Sequence, residues 1–210
     1  MKHILCAIAL ASATFAAQAA PIKIDTLSNT SFDYADGERD QSYSVTNPAG
    51  DTAQGWASDS LDSKLPSPWL SNGGMSAWVT PTRFAASDVA AGTYIWKTTF
   101  DLGGLDPATA YFTGRFAADN RAAAYLNNAL IGNATSFDAW SEFSSGTGNF
   151  VAGINTITFN VVNDGGPSGL RVEFLESGEA VAAVPEPETY ALMLAGLGAL
   201  GFVARRRKAA

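Results

Sequence analysis

The segment Thr93-Tyr-Ile-Trp-Lys-Thr-Thr-Phe-Asp-Leu102 alternates between large, mostly aromatic residues and smaller or polar residues. Successive side chains of an extended chain point to opposite faces, so this period of two predicts a β-strand with one buried face. One face carries Tyr94, Trp96, Thr98 and Phe100, and the other carries Ile95, Lys97 and Thr99.

The same alternation recurs closer to the C-terminus. Ile157, Phe159 and Val161 share one face of a second segment, and Leu170, Val172 and Phe174 alternate with Arg171 and Glu173 in a third. Short segments of this kind, separated by Gly, Pro, Asn and Asp, predict antiparallel strands. The predicted strands are residues 22–27, 41–46, 75–80, 93–102, 110–117, 122–126, 155–162 and 169–175.

No stretch between residues 20 and 177 shows sustained helical periodicity, although a single helical turn is expected near 138–143. Many short strands joined by turn residues predict an all-β fold, a jelly roll or β-sandwich. A domain of about 160 residues is long enough for one hydrophobic core and too short for two. We therefore expect one β-sandwich domain at residues 20–177.

The N-terminus has the features of a secretory signal peptide. Lys2 and His3 precede an apolar run, and Ala17-Gln-Ala19 supplies small residues at the cleavage spacing. This pattern predicts removal of residues 1–19 after recognition by the secretion machinery and signal peptidase.

Cleavage there would remove the only histidine, His3, and the only cysteine, Cys6. A mature chain without either residue excludes disulfides, thiol nucleophiles, imidazole bases and zinc sites that use His or Cys ligands. All 20 acidic residues, but only eight of the 13 Lys and Arg, lie between Ala20 and Ala204, which gives this stretch a net charge of −12. Such a charge argues against nucleic acid as a partner.

Three features follow one another at the C-terminus. Val184, Pro185, Glu186 and Pro187 form a rigid polar motif, an apolar run extends over residues 190–204, and Arg205, Arg206, Arg207 and Lys208 form a basic cluster. We expect a linker at 178–188, and a single hydrophobic transmembrane helix with a basic stop at 189–208.

This tail resembles the PEP-CTERM sorting signal of exported bacterial proteins. The resemblance implies recognition by exosortase, a membrane-embedded cysteine protease, and transient membrane anchoring before release or transfer to the cell surface. It also implies an association with biofilm and exopolysaccharide production.

The central block carries a second resemblance. Its pieces are Thr99-Thr-Phe-Asp-Leu-Gly-Gly-Leu-Asp106-Pro, Gly114-Arg-Phe-Ala-Ala-Asp-Asn120, Tyr125-Leu-Asn-Asn, Phe150-Val-Ala-Gly-Ile-Asn-Thr156 and Gly166-Pro-Ser-Gly-Leu-Arg-Val172. They are similar to the galactose-binding-like jelly roll, which implies a sandwich fold and, by analogy, carbohydrate binding. Ala122-Ala-Ala124 departs from the pattern by making one strand unusually small.

Five tryptophans are candidates for sugar platforms, because an aromatic ring offers a flat apolar surface. Trp78 and Trp96 lie on alternating strands and are expected in the core. Trp56 lies in a loop-like Gly- and Ser-rich stretch and Trp69 follows two prolines, so they are the loop candidates. Trp140 lies between Phe137 and Phe143 and is expected to pack against the domain.

Two polar groups are further candidate sites. Arg115, Asp119, Asn120 and Arg121 surround a strand end, where they would either hydrogen-bond sugar hydroxyls or cap a turn. Asp33, Asp36, Glu38 and Asp40 cluster around Gly37. Their oxygens would either hold a structural Ca²⁺ or form a solvated acidic loop.

No spacing singles out a catalytic residue. We expect an exported, non-catalytic surface or matrix protein, with extracellular polysaccharide as its ligand. Two alternatives remain: a structural adhesion module without a ligand site, and a glycoside hydrolase built on two carboxylates. Exposure of Trp56 and Trp69 on one concave surface favours sugar binding, whereas burial of both favours the adhesion module.

Overall fold

The computed structural model describes residues 20–58, 65–146, 148–175, 178–183 and 187–208. The predicted signal peptide at 1–19 lies outside the described residues, as do Val184, Pro185 and Glu186 of the C-terminal motif.

The described residues contain twelve strands, one 3-10 turn and one helix. The strands are β1 Ile22–Lys23, β2 Arg39–Thr46, β3 Thr52–Ser58, β4 Trp78–Thr80, β5 Gly92–Asp101, β6 Thr113–Asp119, β7 Arg121–Leu126, β8 Ala129–Ala134, β9 Ser141–Ser144, β10 Ile154–Asn163, β11 Gly169–Phe174 and β12 Glu179–Ala180. The 3-10 turn is Pro107–Thr109 and the helix, α1, is Pro187–Lys208.

Ten strands form one antiparallel sheet in the order β8-β7-β10-β5-β2-β3-β4-β11-β6-β9. The sheet folds back on itself, so that Phe159 of β10 meets Phe116 of β6 with ring centroids 5.6 Å apart. The two end strands approach closely, since a Cβ added at Gly132 of β8 would lie 2.7 Å from Cβ of Phe143 in β9. The predicted all-β sandwich is therefore confirmed, with its two halves continuous through β2 and β3.

The main core lies between the two halves. It contains the inward faces that the alternation predicted: Tyr94, Trp96 and Phe100 from β5 are each at most 3% exposed. Phe112 and Phe143 pack edge-to-face at 6.0 Å, a geometry that aromatic rings favour. The inward residues of β10 and β11, including Phe159 and Val172, complete this core.

A second, smaller core covers the outside of β11 and β6. It consists of Trp69, Trp78, Ala85 and Ala117, with Leu65, Leu70, Phe137 and Trp140 packed against it. This cover buries β11 on both faces, and Arg171 and Glu173 are only 3% and 2% exposed. The alternation of β11 is therefore present, but its polar face does not contact solvent.

The sequence analysis did not predict four of the strands. β3, β8, β9 and β12 are short or contain Gly, Ala and Ser, which carry little strand signal. The helical turn expected at 138–143 is wrong, because Ser141–Ser144 pairs with β6 as strand β9. The strand predicted at 22–27 is reduced to Ile22–Lys23.

The segment after Gly178, predicted as a linker, begins as part of the fold. Glu179 and Ala180 pair with β1, and Glu179 and Tyr111 exchange two backbone hydrogen bonds of 3.0 Å. Ala183 N donates to Gly104 O at 2.9 Å. The polypeptide is thus held to the domain as far as Ala183.

Helix α1 contains the predicted apolar run and the basic cluster Arg205, Arg206 and Arg207. No helix in the described part of the chain has the length and apolar character that a membrane span requires. The transmembrane prediction for 189–208 is corrected accordingly. Its apolar run is shorter than the roughly 20 residues that span a bilayer core.

Candidate functional site

Trp69, predicted as an exposed platform, is buried. Its side chain is 7% exposed and lies against Trp78 with ring centroids 4.2 Å apart. Its Nε1 donates to Oδ2 of Asp119 at 2.8 Å. Both the ring and its polar atom are therefore occupied within the protein, and the prediction of an exposed loop tryptophan is wrong here.

Asp119 lies at the end of β6, 7% exposed. Burial raises the pKa of this carboxyl, the hydrogen bond from Trp69 opposes that rise, and the negative charge of Asp164 adds to it. Its Oδ1 has no hydrogen-bond partner among the described residues. Because this carboxyl is buried, Asp119 favours the interpretation that the group caps a turn over the interpretation that it contacts a ligand directly.

Asn120 and Arg121 connect this turn to the loop after β10. Asn120 Oδ1 accepts from the backbone N of Asp164 at 2.7 Å, and Arg121 Nη1 donates to Asp164 Oδ2 at 2.6 Å. The Arg121 and Asp164 side chains are 52% and 59% exposed, so this ion pair is open to solvent. Of the three turn residues, Arg121 is the most exposed.

Arg115 belongs to a different cluster. Its Nε and Nη2 donate to Oε2 of Glu173 at 2.8 and 2.6 Å, while Arg171 Nη2 donates to the other oxygen, Oε1, at 3.1 Å. Trp140 lies under both guanidinium groups, with ring-centroid distances of 4.5 and 4.7 Å. Trp140 packs against the domain as predicted, and the arginines hold a buried carboxylate rather than facing a groove.

Trp56 is half-buried in β3 rather than displayed on a loop. The guanidinium of Arg39 lies 3.7 Å from the centroid of its ring. One face of the ring is thus covered by a cation, and Trp56 and Trp69 do not form a shared exposed platform.

Two of the four predicted calcium ligands accept hydrogen bonds from the backbone. Asp40 is buried, and its carboxylate accepts from the N–H groups of Ser31 and Ser42, both at 2.8 Å. Glu38 Oε2 accepts from Ala35 N at 3.0 Å. Among the described residues, which include Asp33, Asp36, Glu38 and Asp40, no group of three or more His, Cys, Asp or Glu is arranged to hold a metal ion.

A groove crosses the outer face of β8, β7, β10 and β5. It has a volume of about 550 Å³ and is continuous, through Tyr125 and Asn160, with a smaller depression of about 190 Å³. Its lining residues are Thr93, Arg121, Ala122, Ala123, Tyr125, Asn133, Ala134, Thr135, Asn160 and Val162.

Strand register explains the shape of this groove. Ala123 pairs with Asn133 on one side and Asn160 on the other, while Tyr125 pairs with Thr158. The small Ala123 side chain leaves a hollow between the larger Arg121 and Tyr125, which share its face of β7. The small residues of β7, which depart from the jelly-roll pattern in the sequence, therefore create the groove.

The groove combines an aromatic ring with unpaired amides. The side chains of Asn133 and Asn160 make no hydrogen bond to any other described residue. Tyr125 is half-buried beside them, and Arg121 uses only Nη1 in its bond to Asp164. The surface therefore offers an apolar ring face together with donors and acceptors directed at solvent.

A second depression of about 430 Å³ is lined by Asp33, Tyr34, Asn72, Gly73 and their neighbours. It is rich in backbone and small polar groups and contains one of the predicted acidic residues. It lies at the loops, and in the described residues it lacks the combination of ring and unpaired amides found over β7 and β10.

Comparison with known proteins identifies the tail. Residues 183–208 match the PEP-CTERM protein-sorting motif. The chain carries this sorting signal. The motif implies export, anchoring at the membrane through the signal, and processing by exosortase. Pro187 and the basic residues Arg205, Arg206 and Arg207 lie within α1, inside the matched residues.

Solved structures align with the domain at low similarity. A Pleurotus ostreatus lectin in complex with GalNAc aligns at 23% identity and a TM-score of 0.39, over 51% of this chain and 32% of the lectin. Its apo form aligns at 19% and 0.35, over 66% and 54%. A family 35 carbohydrate-binding module from an environmental isolate aligns at 17% and 0.30, over 61% and 90%.

The chain thus spans about a third to about half of the lectin chains that it matches. No curated protein matches its sequence.

Proposed function

We propose that this is a PEP-CTERM-sorted surface or matrix protein that binds extracellular polysaccharide without chemically altering it. Secretion machinery and signal peptidase would handle its N-terminus, exosortase would process its tail, and biofilm or exopolysaccharide would be its setting. The domain would present its ligand groove outside the cell.

One observation carries the proposal: the groove over β7 and β10 places the Tyr125 ring beside the unpaired amides of Asn133 and Asn160. Sugars present apolar C–H faces and hydroxyls together, and a site that binds them needs a ring with polar groups at its side. An amide that has no protein partner retains its full capacity for a hydroxyl ligand.

The same groove supports a non-catalytic role. Its lining residues include no carboxylate. Hydrolysis of a glycosidic bond requires an acid and a second carboxylate on opposite sides of that bond. Asp164, at one end of the groove, is held by Arg121 at 2.6 Å and has no acidic partner in the lining. The glycoside hydrolase alternative therefore has no support from this site.

The second candidate function is the structural adhesion module. Burial of Trp69 and coverage of Trp56 by Arg39 favour it, because the two tryptophans were the predicted sugar platforms. The two candidates make different predictions for the groove: the adhesion module needs no free ligand there.

A glycan array probed with the full-length chain in detergent, beside its Tyr125→Ala variant, separates the two. We expect the wild-type chain to bind a subset of glycans and Tyr125→Ala to lose that binding at least tenfold, since covering a large apolar side chain is worth about 1.5–3 kcal/mol. Tyr34→Ala, at the second depression, is the matched control and should bind normally. Absence of glycan binding by the wild-type chain would favour the adhesion module.

A further inference from the structure

The groove differs in charge from the rest of the domain. Residues 20–204 carry a net charge of −12. Nevertheless, the outward face of three neighbouring strands carries Lys97 and Arg121 and no carboxylate over the positions that form the groove and its edge. These positions are 93–99 of β5, 121–125 of β7 and 156–162 of β10. Asp101, the exposed last residue of β5, and Asp164, which accepts a hydrogen bond from Arg121, lie beyond the ends of these positions. Two cations with no carboxylate among these positions give an acidic protein a local site for an anionic ligand.

Strand register fixes where the two cations lie. Lys97 on β5 pairs with Thr158 of β10, and Thr158 pairs with Tyr125 of β7. Arg121 pairs with Val162, which places it four residues along the strands from Tyr125. At ~3.3 Å per residue and ~4.8 Å between strands, the Lys97 and Arg121 backbones are about 16 Å apart.

Both cations are accessible. Lys97 is exposed, and no described residue forms an ion pair with its side chain. Arg121 is 52% exposed and has donors left on Nε and Nη2 after its bond to Asp164. A guanidinium fork can hold two carboxylates at once because its five N–H donors point in different directions.

We infer that the groove selects an extended acidic oligosaccharide, one that carries carboxylates on its sugar rings. This inference rests on the proposed function. Separate rings of the ligand would place a carboxylate at Lys97 and at Arg121, while the ring between them lies over Ala123 and Tyr125. Only a chain of several sugars reaches both cations, so a monosaccharide binds weakly.

The test uses matched ligands: oligomers of galacturonic, mannuronic and guluronic acid, each beside its fully methyl-esterified form. Esterification removes the charge and keeps the ring skeleton. Calorimetric titration of the full-length chain in detergent should give at least tenfold tighter binding to one acidic oligomer than to its ester. Raising the salt concentration should weaken only the acidic ligand, because ionic contacts are screened.

Variants locate the effect. Lys97→Gln should reduce the preference for the acidic form about tenfold and leave ester binding unchanged, because glutamine carries no charge to attract a carboxylate. Lys23→Gln, which removes the same charge from β1, is the control and should change neither. Tyr125→Ala should weaken both forms.

Equal affinity for acid and ester, with both lost in Tyr125→Ala, would overturn the acidic selectivity and leave the proposed carbohydrate binding intact. An acidic preference that survives Lys97→Gln and Arg121→Gln would overturn its assignment to this groove. Failure to bind any of the six oligomers would overturn the inference, and the glycan array then decides the proposed function separately.

Discussion

In this domain, the solvent exposure of a side chain depends on the loops packed over its strand as much as on its position in the strand. Glu173 alternates with apolar neighbours, which on sequence alone indicates a solvent-facing side chain. In the structure, Ser76 Oγ donates to its Oε1 at 2.8 Å, and the two arginines saturate the rest of the carboxylate. Burial lowers the pKa of Arg171, and the charge of Glu173 and its hydrogen bond counteract this effect. The group is therefore a buried ionic network.

Replacing Glu173 by Ala should be strongly destabilising. It leaves the buried guanidinium of Arg171 without its counter-charge, and breaking a buried pair in this way costs about 3–5 kcal/mol. Chemical denaturation measures the change in unfolding free energy. Asp164→Ala removes one member of an exposed pair and should cost no more than about 1 kcal/mol. If Glu173→Ala lowered the unfolding free energy by no more than Asp164→Ala does, the Glu173 network would not stabilise the fold.

Asp119 should make stability depend on pH. Burial raises its folded pKa, so the folded state holds a proton at pH values where the unfolded chain has lost it. Its stabilising contribution is full below the ordinary aspartate pKa and is lost as pH rises through the raised pKa.

Asp119→Asn keeps an acceptor for Trp69 and removes this titration. The unfolding free energy of the wild type minus that of Asp119→Asn should therefore become more positive as pH falls from neutral into that window. A difference that stays constant with pH would contradict the pKa direction of Asp119.

At the scale of elements, β3 shows how a strand with little sequence signal is fixed by its neighbours. Gly55 lies where Trp96 of β5 crosses the strand, and a Cβ at Gly55 would come within 2.6 Å of the ring and 2.3 Å of Val79 Cγ2. Glycine weakens a strand pattern, so sequence alone missed β3. Close packing by a large neighbour explains both the glycine and the strand.

Gly55→Ala should destabilise the protein by about 1–3 kcal/mol, because the added methyl overpacks a filled core. The thermal midpoint should fall accordingly. Gly74→Ala is the control, since a Cβ there meets nothing within 4 Å. A Gly55→Ala midpoint that matches that of Gly74→Ala would mean that Trp96 does not pack over β3 as described.

The sequence predicted best those strands that bury only one face. β5 and β10 have one buried face and were predicted within one or two residues of their ends. β11 was placed correctly, but its second cover comes from loop residues such as Trp69, which are distant in sequence. The groove was not predicted because its main signal, Ala123, is a missing side chain that acquires meaning only between its strand neighbours.

For the whole molecule, the fold leads directly into the sorting signal. β12 and the backbone bond from Ala183 hold the chain to the domain up to the matched residues, which begin at 183. Within the described residues, the domain and the sorting signal are therefore joined through β12 and Ala183, both of which are hydrogen-bonded to the domain. The matched motif implies export of the chain and of the groove with it.

Replacing Arg205, Arg206 and Arg207 together with Gln should block processing of the tail. The basic cluster closes the matched motif, and we expect exosortase to need the whole motif. Immunoblots of fractionated cells should show unprocessed or misplaced chain. A control with Arg121→Gln keeps the motif and should be processed normally. Normal processing of the triple variant would contradict the role of the basic cluster.

The most direct test of the carbohydrate-binding account is an NMR titration of the full-length chain in detergent with the acidic oligosaccharide that binds best. The chemical shifts of the backbone amides at 121–125 and 156–162 should change in a saturable way as ligand is added. The amide shifts around Trp69 and Asp119 should stay the same, apart from those of the residues next to Arg121. Shifts confined to the loops around Asp33 and Asn72, or none at a saturating concentration, would contradict a ligand groove over β7 and β10.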